Sequence, residues 1–342
     1  MFTFLVIKDA EEWVCALRSF VAHDFVHTYD FHRISEFNQE GSPVLFLLRD
    51  NSGGSIICWP ALARPIPATG LFDLGCVYGY GGPLVAKGLS EQQMLAAFEC
   101  IFDGMKKAGY VSLFSRMHPL FLQSLPDEIK GVALGDVVVI DASPNQKNFL
   151  EAYRSAHRYE IRKAERMGVS VVVDESCAEL SDFVEIYQQA MRDLQAADYY
   201  IFDKNYFKQM VNAKDFKTII IFAVYEGKKV AASMFVVRGN IMQYYLSGSV
   251  AEFKKLAASK LIIAKAHELA RDWGVSEVIL GGGVGSKQDA LFDFKKGFSS
   301  RTEKFSVFKK ILNPQIYETL CVQKGISSGA DGFFPAYRAA LS

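Results

Sequence analysis

A chain of 342 residues, half of them hydrophobic, carries enough apolar side chain for one large or two ordinary domains with full cores. Lysine plus arginine and aspartate plus glutamate balance at 38 each, so no global field favours DNA or another polyanion, and any cationic site has to be local. The six cysteines include no CxxC pair and no histidine at ligand spacing; they read as core thiols of a reducing compartment, with no metal site.

The opening MFTFLVIKDAEEW has only a short apolar run before its acids, so it reads as a first strand, Phe2–Ile7, and not as a signal peptide. No window approaches the roughly 18 apolar residues of a membrane span. The expectation is a cytoplasmic protein, with peripheral membrane association left open. Trp13, Val14, Leu17, Phe20 and Val21 recur at helical spacing and predict a helix over Ala10–Ala22. His23, His27 and His32, with Tyr29 and Phe31, follow as an aromatic, weakly basic loop that would suit a substrate edge. Val44–Leu48 and Ser55–Leu62 flank the turn residues 50–54 and predict a hairpin. A strand over Leu71–Tyr80 ends in YGYGGP. Ser90 and Gln93 then form a capping box for a helix that Gly109 stops, and strands Tyr110–Arg116 and Asp136–Ile140 close the half.

The second half repeats that order. A helix over Glu179–Leu194 precedes a hairpin of Thr218–Val224 and Val230–Val237, a strand Ile241–Leu246, a helix Ala257–Trp273 and a strand Val275–Leu280. Two copies of one α/β unit are expected, in residues 1–142 and 143–310, with a tail of residues 311–342 packing back on the first. The tail's segment Phe333–Tyr337 is too apolar to be left in water.

Between the halves, Ser143-Pro144 reads as a helix start, and Arg154, Arg158, Arg162 and Arg166 follow at intervals of four, bordered by His157 and Lys163. Glu151, Glu160 and Glu165 are available for intrahelical pairs, and a positive surplus remains. Such a stripe fits either a solvated face or an anionic client. The last informative stretch is LGGGVGSKQDALFDFKKGF, a short β-branched strand that stops at Gly281, Gly282 and Gly283 before an aromatic, basic turn. Its glycines permit positive φ or close approach by a ligand.

IRKAERMGVSV, YGYGGP, YYLSGS and LGGG followed by DALFDFKKGF occur here in one order. Together, over roughly Phe25 to Phe305, they resemble the FemAB-like branch of the GNAT-fold acyltransferases, which includes peptidoglycan bridge aminoacyltransferases and relatives associated with surface polysaccharides. The resemblance implies an α/β (α+β) fold of two tandem GNAT-like domains, each a mixed twisted sheet flanked by helices. It also implies transfer of an acyl or aminoacyl group to an amine on an anionic nucleotide- or lipid-linked precursor of the cell envelope.

Carried onto this sequence, the resemblance makes Lys295 and Phe294 the pair beside the reacting ester, Lys295 stabilising the oxyanion. It places Tyr80, Arg158, Arg162, Tyr244, Tyr245 and the glycines 281, 282 and 283 along the substrate cleft. No permanently bound cofactor is implied; the donor is aminoacyl-tRNA, with tRNA then a partner, or acyl-CoA. The stretch Val250–Ser259, where GNAT enzymes place a glycine-containing pyrophosphate loop, has no glycine, and no tyrosine lies between Asp289 and Phe298. Both features favour the FemAB-like branch. The alternatives are an acyl-CoA-dependent N-acyltransferase acting on an amino sugar of a surface polysaccharide, and a non-catalytic module that binds a sugar nucleotide or a protein.

Overall fold

The structure, a computed structural model, describes residues 2–143, 149–197, 200–327 and 332–339. Its first part runs β1 (Thr3–Ile7), α1 (Ala10–Arg18), α2 (Tyr29–Phe37), β2 (Ser42–Arg49), β3 (Ser55–Pro65), β4 (Phe72–Gly75), β5 (Leu84–Val85), α3 (Glu91–Lys107), β6 (Tyr110–Met117) and α4 (Asp127–Lys130). Next come β7 (Val132–Asp141), α5 (Ser155–Arg166), β8 (Ser170–Asp174), α6 (Leu180–Asp193), α7 (Lys204–Asn212), β9 (Lys217–Tyr225), β10 (Lys228–Arg238) and β11 (Ile241–Ser249). The chain ends with α8 (Ala258–Asp272), β12 (Glu277–Gly281), α9 (Ala290–Lys296), β13 (Thr302–Ile311) and α10 (Pro314–Gln323). These elements form two compact units, Met1–Leu134 with Lys304–Ser342, and Gly135–Glu303.

The expected mixed α/β architecture is present in each unit. In the first, the strand order is β1-β2-β3-β4-β6-β13, antiparallel except where β4 lies beside β6, with β5 bonded to β3. In the second it is β8-β9-β10-β11-β12-β7, antiparallel except where β11 lies beside β12. A parallel pair needs a crossover, and α3 and α8 supply it. Each unit therefore finishes on a strand that does not follow in sequence: β6 pairs with β13, and β12 pairs with β7.

Strands covered on both faces read as continuous apolar runs, and β2 is one. Its Val44, Phe46 and Leu48 join Trp59, Phe98 and Phe102 in one cluster, while Leu45 and Leu47 turn to Trp13 and Leu17 of α1. In the second unit, Ile219, Ile221, Val278 and Leu280 pack on Leu261, Ile262 and Ala266 of α8 and on Ile161 and Ala164 of α5. The parallel ladder between β11 and β12 runs from Ile241 with Glu277 to Gln243 with Ile279, and β11 continues past it to Ser249. The ends of these two strands position the candidate site.

Several local expectations are corrected. The first helix stops at Arg18, and the aromatic histidine loop is largely helix α2, capped by Thr28. His27 and His32 are buried: Trp13 Nε1 donates to the His27 carbonyl at 3.0 Å, and His32 Nδ1 lies 2.9 Å from the Thr28 carbonyl. They are core side chains, not a substrate edge. The strand expected to reach Tyr80 ends at Gly75. Pro144 lies outside the described residues, and the arginine-bearing helix opens only at Ser155, after a 3-10 turn over Phe149–Ala152. Of the tail, α10 and the segment around Tyr337 pack in the first unit. There buried Asp73 accepts from Arg64 Nε (2.8 Å), Arg338 Nε (2.5 Å) and the Tyr337 hydroxyl (3.1 Å).

Candidate active site

β12 ends in the glycines. Gly281 takes a φ of 85°, open to glycine at little cost. Gly282 and Gly283 face the chain itself: a Cβ at Gly283 would lie 2.1 Å from the Lys287 carbonyl and 2.3 Å from Asp289 Oδ1. Asp289 ties the loop down, accepting from Val284 N and, as the N-cap of α9, from Phe292 N, each at 2.9 Å.

One turn on, Lys295 points inward and is only 8 % exposed. Its Nζ donates to the Gly282 carbonyl at 2.7 Å. Burial draws the ammonium down to about 8 from the usual lysine range, and Asp289 acts in the opposite direction. At neutral pH it is therefore mainly charged. An ammonium has three donors, and the Gly282 carbonyl takes one of them. Lys296 next door reaches the Phe292 ring instead, 5.7 Å from its centroid.

Phe294 faces another space. With Glu160, Val230, Ser249, Phe253, Lys254, Lys255, Ser259 and Lys260 it lines a cavity of about 340 Å³ at the start of α8. That helix opens on Ala257, whose φ of 53° and ψ of 29° are left-handed, with no side-chain cap. Alanine pays on the order of 1–2 kcal/mol for this conformation. Lys260 pairs with Glu160 and lies 6.0 Å from the Phe294 ring; burial draws its ammonium below the usual range. Glu160, expected in an intrahelical pair, thus spends its charge across to α8.

Arg158 and Arg162 lie on one exposed face of α5 with Tyr159 and Arg166, lining an open groove. Arg158 is partly committed: its Nη1 donates to the Tyr153 carbonyl at 2.5 Å and to the Glu151 carbonyl at 3.2 Å. Arg154 is not in the stripe's helix but in the extended residue before it. Tyr244 and Tyr245 diverge, as neighbours on a strand do. The Tyr244 hydroxyl donates to Ser247 Oγ at 2.6 Å and its ring meets Phe235, whereas the Tyr245 hydroxyl meets that of Tyr206 on α7. Tyr80 belongs to the first unit, its ring 5.2 Å from Phe305, in a turn where Gly79 and Gly82 take positive φ.

Two participants escaped the sequence reading. Asp289 had a signal, an aspartate directly before a short apolar helical run, the place of an N-cap. The Glu160–Lys260 pair had none, because its partners stand a hundred residues apart. Among the described residues no group of three or more His, Cys, Asp or Glu could hold a metal, and no helix is long and apolar enough to cross a membrane.

Residues 151–296 match a family model described as an acetyltransferase (GNAT) domain. Among solved structures, FemX is 12% identical over 93% of this chain and 99% of its own, with a TM-score of 0.69. L-PGS from Bacillus licheniformis is 12% identical over 91% of this chain and 95% of its own, TM-score 0.55. The C-terminal domain of a protein named as a lysylphosphatidylglycerol synthetase of Agrobacterium fabrum is 14% identical over 95% and 100%, TM-score 0.54. A search of curated protein sequences finds no significant match. At these identities the likeness is one of fold.

Proposed function

We propose, from the match of residues 151–296 to an acetyltransferase (GNAT) domain and from the likeness in fold to FemX, an acyl or aminoacyl transferase that forms an amide on an amine of a nucleotide- or lipid-linked cell-envelope precursor. The observation that carries this reading is the Lys295 ammonium, buried at the end of β12 with one donor on the Gly282 carbonyl. Attack of an amine on an ester or thioester carbonyl makes a tetrahedral oxyanion. A positioned cation stabilises that charge more than it stabilises the neutral ester. Collapse forms the amide bond and breaks the ester or thioester bond, and the proton shed by the amine leaves with the alcohol or thiol. Phe294 walls the donor's side. Arg158 and Arg162 supply guanidinium groups for an anionic acceptor.

The cavity at α8 supports a donor that bears phosphate. Lys254, Lys255 and Lys260 supply charge, Ala257 and Ala258 keep the helix start small, and a helix start without a side-chain cap attracts anions. Ala257 reaches without glycine the left-handed shape that a glycine would give, so acyl-CoA stands as a second reading beside aminoacyl-tRNA. The test presents purified protein with aminoacyl-tRNA and with acyl-CoA, follows amide formation on nucleotide-linked amino-sugar and peptide acceptors, and weighs the protein by native mass spectrometry. Transfer from one donor identifies it. Neither transfer nor a retained donor would return the chain to a binding module.

A further inference from the structure

We propose that His157 is a positioning residue, docking the first turn of α5 onto the last turn of α9 so that the Lys295 ammonium is held in place. The inference rests on the acyl-transfer reading of Lys295. α9 has seven residues, and its last turn is closed by its own cap, Gly297 N donating to the Phe294 carbonyl at 3.2 Å and Phe298 N to that of Lys295 at 3.0 Å. Two further bonds reach this turn, from the first turn of α5 and from the residue before it. His157 Nε2 lies 2.9 Å from the carbonyl of Phe294, the residue before Lys295, and the Arg154 amide donates to the Gly297 carbonyl at 2.8 Å. A carbonyl only accepts, so the imidazole carries its proton on Nε2.

The fit is steric as well. A Cβ on Gly297 would lie 2.0 Å from His157 Nε2, so the ring fills the space that the glycine vacates. The same ring stands edge-on to Phe298, centroids 4.7 Å apart, and 5.9 Å from that of Phe294. Burial keeps His157 below its usual range, the Phe294 bond opposes this, and Lys260 and Arg154 add to the lowering, so the ring is neutral at neutral pH. One imidazole thus links the helix that carries Arg158 and Arg162 to the turn that carries Lys295.

The decisive experiment needs no substrate. In the full chain, the pH dependence of Lys295 labelling by an amine-reactive reagent, read by mass spectrometry, should show a midpoint near the depressed value of about 8. His157→Phe keeps the ring and loses the donor; its midpoint should rise toward that of a solvated lysine. In the transfer assay kcat should fall roughly tenfold, as for one lost hydrogen bond, with the acceptor KM little changed. Gly297→Ala should do the same by displacing the ring, and His157→Gln, which retains an N–H, should restore both readouts. An unmoved midpoint in both His157→Phe and Gly297→Ala, or equal behaviour of the Phe and Gln variants, overturns the proposal. Should Lys295→Met leave transfer intact, the acyl-transfer reading fails alone, and the labelling still decides whether His157 places the amine.

Discussion

α3 and α8 hold the same place in their units, each joining the two parallel strands, yet their N-termini are finished in opposite ways. In α3, Ser90 Oγ accepts from Gln93 N at 3.2 Å and Gln93 Oε1 accepts from Ser90 N at 2.9 Å, so the chain satisfies its own helix start. α8 begins on a left-handed alanine with no side-chain cap, beside three lysines and a cavity of about 340 Å³. A helix start that is capped from within has little left to offer an anion. On the proposed reading, this difference favours the second unit for the donor, with the first unit's counterpart as scaffold.

The largest effect that would sharpen this comparison is at Lys295. Lys295→Met should slow the chemical step roughly a hundredfold, the scale for one lost oxyanion donor, with substrate affinities little changed. Single-turnover rates with the true donor and acceptor check it, with Lys296→Met as control; a greater loss in the control would move the chemistry elsewhere. The pH profile should carry the same signature. Because burial holds the charged form of Lys295 down to about 8, the rate should fall about tenfold for each pH unit well above that value if the ammonium acts. A profile flat to pH 10 would contradict it.

Binding effects come next. Lys255→Ala should weaken a phosphate-bearing donor by roughly tenfold in titration calorimetry, whereas Lys106→Ala, in the last turn of the crossover helix α3, should leave that affinity alone. Arg162→Ala should weaken an anionic acceptor by about as much. Arg158→Ala should in addition lower the melting temperature, because that guanidinium also ties down the turn before α5. If neither variant changes acceptor affinity, the arginine face is merely solvated.

The smallest effects are on stability. Ser90→Ala should cost about 1 kcal/mol in denaturant melts. Ala257→Gly should stabilise by up to ~1 kcal/mol, because glycine takes the left-handed shape freely. The opposite signs would express the comparison directly. Buried histidines add a pH dependence to both units: His32 and His267 are drawn by burial to about 4. A folded value below the unfolded one means that the unfolded chain binds more protons between about 4 and 6.5, so stability should fall as pH drops through that window.

The repeat of helix, hairpin, strand, helix and strand was legible because periodicity and capping are local, and Ser90 with Gln93 is the plainest example. The pair Phe294-Lys295 stands out through its motif alone, and the burial of Lys295 against the Gly282 carbonyl does not. What could not be read was whatever depends on distant partners. Nothing local told that His32 would be walled in by Trp13, or that Glu160 would turn to Lys260. The partner of β6 was equally hidden, since β7 follows it in sequence and β13, which takes the place, comes far later.

That last pairing has a consequence for synthesis. The sheet of the first unit needs β13, and all but the last two residues of the second unit are made before it. At ordinary elongation rates, the interval between Leu134 and Lys304 lasts on the order of ten seconds or more. The N-terminal part must wait that long on the ribosome with the edge of β6 unpaired, while the second unit can finish first. A nascent chain of this protein is thus expected to mature from its middle outward.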